Sequence, residues 1–104
     1  MAKDDLTKEI EYDKIEVVST WNINVRKATK VMEEQADGSK KELSRSFHRH
    51  VLYPFSSDKD ENGKWKHTAT DLSNEDAKVK AIAEIVWTDD VKTAYKTFRE
   101  SQSI

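Results

Sequence analysis

Residues 15–25 read Ile-Glu-Val-Val-Ser-Thr-Trp-Asn-Ile-Asn-Val. Ile15, Val17, Trp21, Ile23 and Val25 are apolar, while Glu16, Thr20, Asn22 and Asn24 are polar. Successive side chains of a strand leave on opposite faces, so this period of two predicts one half-buried strand rich in β-branched residues. The pattern runs on less regularly through Ala28, Val31 and Met32. Ala36-Asp37-Gly38 then fits a three-residue hairpin loop, with Gly38 in the left-handed conformation of a G1 bulge. Pairing Gln35 with Ser39 sets Val31 against Leu43, Ile23 against Val51 and Trp21 against Tyr53. Apolar residues then face apolar residues, and Phe47 falls on the core face. The second strand is predicted from about Lys41 to Tyr53 and stops near Pro54, which has no N–H to offer a ladder.

Residues 56–63 are polar and predict a loop, followed by a short strand at Lys64–Ala69. Ser73 is a natural N-cap, with Asp76 three residues on. Val79, Ile82, Ile85 and Val86 follow at helical spacing. Thr88 is placed to cap a second helix, with Asp89 and Asp90 in its first turn and Val91, Ala94, Tyr95 and Phe98 on one face. Trp87 sits at the corner between the helices. The predicted fold class is α+β: a long antiparallel β-hairpin, extended by a third short strand where 64–69 pairs, packed against a C-terminal αα-hairpin. Residues 1–11 read as an acidic N-terminal arm, disordered or added as an edge strand. Residues 12–104 read as a single α+β domain.

The chain has 104 residues, 37% of them charged, with nine aromatics, two glycines and one proline. The aromatics give a domain of this size something to bury, but its stability margin is thin. With no cysteine, disulfides and zinc–thiolate sites are excluded. No apolar run is long enough to span a membrane, and the N-terminus lacks a signal peptide's apolar stretch. Charge is segregated: residues 20–55 carry seven Lys/Arg and four Asp/Glu, between two acidic stretches. The net charge of −2 disfavours a protein whose affinity comes from phosphate neutralisation.

Three constellations invite chemistry. Asp58-x-Asp60-x-Asn62-Gly63 matches the first half of an EF-hand calcium loop, but Ala69 stands where the bidentate glutamate belongs. An acidic turn is the better reading. His48 and His50 project from one strand face, with His67 a third imidazole if the short strand packs nearby. Arg45 and Arg49 oppose a dication there, so no metal and no cofactor is assigned. Arg45-Ser46-Phe47-His48-Arg49-His50 interleaves basic side chains with an aromatic, as single-strand nucleic-acid surfaces do. Arg45, His48, Arg49 and His50 are the candidate binding residues, for nucleic acid or for a protein partner. No glycine-rich phosphate loop, nucleophile elbow or metalloprotease helix appears, so the chain is not expected to be an enzyme.

The blocks Lys14-Ile-Glu-Val-Val18, Leu43-Ser-Arg-Ser-Phe-His-Arg-His-Val-Leu52, Asp71-Leu-Ser-Asn-Glu-Asp-Ala77 and Val86-Trp-Thr-Asp-Asp-Val91 resemble small uncharacterised proteins of tailed bacteriophages, especially those of marine cyanobacteria. The resemblance implies a virus-encoded accessory or virion-associated protein, in the host cytoplasm or the virion. It transfers no catalytic or binding residue. The functional expectation is a structural or assembly protein that acts by protein–protein contact, through self-association or with another phage protein. A small single-stranded nucleic-acid-binding module using residues 45–50 is the alternative.

Overall fold

A computed structural model describes residues 6–102. Strands β1 (Leu6–Val18), β2 (Asn22–Glu34) and β3 (Lys40–Leu52) form an antiparallel sheet in that order. Strands β4 (Phe55–Lys59) and β5 (Trp65–Ala69) form a separate two-stranded ribbon. Helices α1 (Ala77–Val86) and α2 (Asp89–Ser101) close the chain. The α+β class and the long hairpin of the sequence reading hold.

Of the acidic arm, Leu6–Glu11 form the first half of β1, an edge strand, and pair with Ala28–Glu33. Residues 1–5 lie outside the described residues. The single strand read over 15–25 is two strands. The chain reverses at Ser19 and Thr20, whose φ values are +56° and +80°. Glycine or asparagine normally supplies positive φ at such a reversal. Here neither residue is of that kind, and the polar–apolar alternation runs through the turn uninterrupted. The expected loop at 56–63 is also revised. Phe55–Lys59 are a strand, and Asp60–Lys64 form the turn into β5, which pairs with β4 and not with the long hairpin.

The Gln35–Ser39 turn forms as read, with Gly38 at φ +89°. The predicted register survives only at the tip, where Met32, Glu33 and Glu34 face Glu42, Lys41 and Lys40. Leu43 is then bulged out, and every later pair moves by one: Val31 faces Ser44, Ala28 faces Phe47, Val25 faces His50 and Ile23 faces Leu52. One residue of slip reverses which face each side chain takes. Leu52 therefore enters the core at 9% exposure, while Val51 and Phe47 stand 45% and 44% exposed on the outer face. A second bulge, between Glu11 and Lys14, interrupts β1.

Ile23, Val25 and Leu52 from the sheet pack with Val79 and Ala83 of α1 and with Trp87. The Trp87 indole N–H donates to the Trp21 carbonyl at 2.8 Å, tying the helix corner to the β1–β2 turn. Helix α1 starts three residues later than Ser73 suggests. Asp76 is its cap, its carboxylate accepting from the Lys78 N–H at 3.0 Å, and the Ser73 N–H is held by Asp71. Thr88 caps α2 as read, accepting from the Val91 N–H at 3.3 Å.

Thirteen-residue strands extend roughly 43 Å, whereas the ten residues of α1 extend about 15 Å. The helices can cover only the end of the sheet nearest the β1–β2 turn. Lys40–Arg49 of β3 are accordingly exposed throughout. The radius of gyration is 19.6 Å, against about 13 Å for a compact chain of this length, and the extents are 64 × 28 × 21 Å.

Candidate functional site

The four basic candidates divide between the two faces of β3. Arg45 and Arg49 share the outer face with Phe47, whose ring lies 4.4 Å from the Arg26 guanidinium and 5.7 Å from that of Arg49. His48 and His50 point to the helix side, with ring centroids 6.1 Å apart. The expectation that Phe47 faces the core is overturned by the bulge at Leu43.

Cations on the outer face are largely neutralised within the chain. Arg26 donates from Nε and one Nη to the two carboxylate oxygens of Asp13, at 2.9 and 2.7 Å. That donation holds the Asp13 carboxyl below its usual range, against a smaller opposing effect of burial. Arg45 grips Glu42 in the same bidentate way, at 3.0 and 2.7 Å, and lowers the Glu42 carboxyl likewise. Lys30 reaches Glu11 at 3.0 Å. Arg49 has no carboxylate among its contacts with the described residues. On the helix side, His50 Nε2 meets Glu75 at 2.9 Å, beside a shallow hollow formed with Tyr12, Lys27 and His48. Among the described residues, no group of three or more His, Asp or Glu side chains is arranged to hold a metal ion.

His67 does not join the other histidines. It lies opposite Ser57 in the β4–β5 ribbon. The Ser57 hydroxyl is 2.7 Å from His67 Nδ1, and Glu100 of α2 is 2.8 Å from Nε2. Asp60 makes the ribbon's turn, its carboxylate accepting from the N–H groups of Asn62 and Lys64, both at 2.9 Å. The EF-hand-like residues thus form a turn.

Beside this ribbon is an open cleft of about 840 Å³ between the β1–β2 turn, β4 and α2. Its walls are aromatic. Trp21 lies edge-on to Tyr95 and tilted against Phe98, both at 5.4 Å between centroids, and the Tyr53 and Phe55 rings stack with Tyr95 at 6.3 and 6.4 Å. Burial pushes the Tyr95 hydroxyl above its ordinary pKa. Two buried polar atoms of the lining have no partner among the described residues: Asn22 Oδ1, an acceptor, and Arg99 Nε, a donor. An Arg99 Nη–H donates to the Ser57 carbonyl at 3.5 Å. The left-handed Ser19 and Thr20 form part of the rim. Sequence reasoning missed this cleft, because its parts come from three separate stretches of chain.

Among the described residues no helix is long and apolar enough to cross a membrane. Comparison of the chain with protein-family models, with curated protein sequences and with solved structures finds no match.

Proposed function

We propose that the protein acts by protein–protein contact, as an assembly or accessory component whose open sheet pairs with a second copy of the chain. The carrying observation is the uncovered β3 edge. Ser44–Leu52 run for nine residues without bulge or proline, and Phe47 and Val51 are exposed along them. A free strand edge of this length is a template for another strand. The β1 edge is less suitable, because the bulge between Glu11 and Lys14 breaks its regularity.

Charge selects the register of such a pair. Antiparallel pairing of β3 with itself, centred on Phe47, would place Arg45 opposite Arg49. Centred on His48, it places Phe47 opposite Arg49 and Arg45 opposite Val51, with no like charges face to face. A two-fold dimer with one continuous six-stranded sheet results. With the sequence resemblance to phage proteins, this reading makes the chain a virus-encoded accessory or virion-associated component, in the host cytoplasm or the virion. Nucleic-acid binding by residues 45–50 is less favoured, because the carboxylates of Asp13, Glu42 and Glu11 already occupy three cations of that face.

Size-exclusion chromatography with light scattering tests the proposal. Untagged protein should run as a dimer in low and physiological salt. Phe47→Lys/Val51→Lys should be a folded monomer, since each lysine then faces an arginine of the second copy. A wild-type monomer at every accessible concentration refutes the reading.

A further inference from the structure

We propose that Ser57, His67 and Glu100 form a nucleophile–base–orienter relay, and that the adjoining aromatic cleft binds a small carboxylic ester for acyl transfer to Ser57. The hydrogen bonds set the direction of proton flow. The Glu100 carboxylate accepts at His67 Nε2, at 2.8 Å, which keeps the neutral imidazole's proton on that nitrogen. Nδ1 is then left with a lone pair, and the Ser57 hydroxyl donates to it at 2.7 Å. A base placed to take a serine's proton, and itself held by a carboxylate, is the arrangement that activates a hydroxyl. Here the imidazole nitrogens exchange the places they hold in the serine-protease triad.

Cross-strand pairing alone explains why Ser57 meets His67. It does not explain the rest of the site. Glu100 is delivered from α2, 33 residues further along, to the second ring nitrogen. Ser57, although 8% exposed, lines the cleft. Arg99 also lines it, with a buried Nε–H that has no partner among the described residues and an Nη 3.5 Å from the Ser57 carbonyl. Among the described residues that donor has no acceptor, and a developing oxyanion in the cleft supplies one. Trp21, Tyr95 and Phe98 supply an apolar wall for an aromatic group of the ester.

In the first half-reaction Ser57 Oγ bonds to the ester carbonyl carbon while its proton passes to His67 Nδ1. The carbonyl oxygen becomes an oxyanion beside Arg99. The bond from carbon to the alcohol oxygen then breaks, and the alcohol leaves with the proton from Nδ1. In the second, water gives a proton to Nδ1 and attacks the acyl carbon. The carboxylic acid is released and the proton returns to Ser57 Oγ. Water is the only co-reactant. Glu100 is a positioning residue, acting through His67.

The test has two readouts. An alkyl fluorophosphonate, followed by peptide mass spectrometry, should leave its adduct on Ser57 of the wild-type protein. Hydrolysis of p-nitrophenyl acetate should fall by about 100-fold or more in Ser57→Ala and in His67→Asn, the scale of lost nucleophile activation, and stay unchanged in Ser73→Ala, outside the cleft. Glu100→Gln should lower kcat with KM retained. Absence of the adduct from Ser57 in folded wild-type protein overturns the proposal, whether or not the variants fold. So does wild-type turnover in folded Ser57→Ala. Neither result bears on dimerisation, which is read from molar mass.

Discussion

Leu52 and Val51 are adjacent, yet the bulge at Leu43 assigns them opposite fates. Leu52 faces Ile23 inside the core at 9% exposure, and Val51 is 45% exposed outside it. Truncating each to alanine therefore measures the register. Leu52→Ala removes three buried carbons, worth roughly 2.4 kcal/mol at ~0.8 kcal/mol each. The space left among Ile23, Val79, Ala83 and Trp87 adds a cavity cost, bringing the total to about 3 kcal/mol. Val51→Ala removes two half-exposed methyls and encloses no cavity, so it costs about 1 kcal/mol, loss of strand propensity included.

The difference of about 2 kcal/mol corresponds to roughly 8–16 °C in Tm for a domain of about 100 residues. Thermal unfolding followed by tryptophan fluorescence and circular dichroism reads it directly. Both variants must be compared at one protein concentration, since association with a second copy would add stability by mass action. In the unbulged register Val51 would face Ile23 in the core and Leu52 would lie outside. Equal costs, or a larger cost at Val51, would therefore refute the bulge and with it the placement of Phe47, Arg45 and Arg49 on the outer face.

Three further outcomes follow from the local geometry. Thr20→Gly should raise stability by about 0.5–1 kcal/mol, because a β-branched residue at φ +80° carries a steric cost that glycine lacks; the urea midpoint checks this. Asp76→Ala should cost about 1 kcal/mol and Ser73→Ala markedly less, since the carboxylate of Asp76 caps α1; parallel urea titrations compare them. Asp13→Asn should flatten the acid limb of stability. The Asp13 carboxyl is held low by Arg26, so its contribution is present above the unfolded carboxylate pKa of about 3.9 and is lost as pH falls through the lower folded value. Urea midpoints taken from neutral pH into acid should therefore drop less in Asp13→Asn than in the wild type.

Helix α2 was legible residue by residue, because Thr88, the acidic first turn and the apolar spacing all depend on neighbours within a few positions. Helix α1 was legible in extent but not in its cap. Asp71, Ser73 and Asp76 compete for the same N–H groups, and only packing selects among them. The turn at Ser19–Thr20 carries no signal, since its residues resist the conformation they adopt. It is held where Trp87 anchors the Trp21 carbonyl, a contact spanning 66 residues. The β3 register failed for a related reason. Ile23 finds an apolar partner in Val51 or in Leu52, so pattern matching cannot distinguish the two, and the helix layer decides.

That decision carries into function. Parity alone placed Arg45 and Arg49 on one face and His48 and His50 on the other, as the structure has them. Which face met the helices depended on Leu43. Exposure of Phe47 by itself favours the nucleic-acid reading, since an open sheet face with an aromatic and several cations suits stacked bases. The same register, however, brings Arg26 beside the Asp13 bulge and leaves Arg45 with Glu42, so, Arg49 apart, these cations of the face are held in ion pairs. Phosphate binding would have to break those pairs before it gained counterion release. An edge strand needs no such exchange, because its unpaired backbone groups trade water for another strand. The arrangement that exposes Phe47 thus weakens the case for nucleic acid and strengthens that for a second chain.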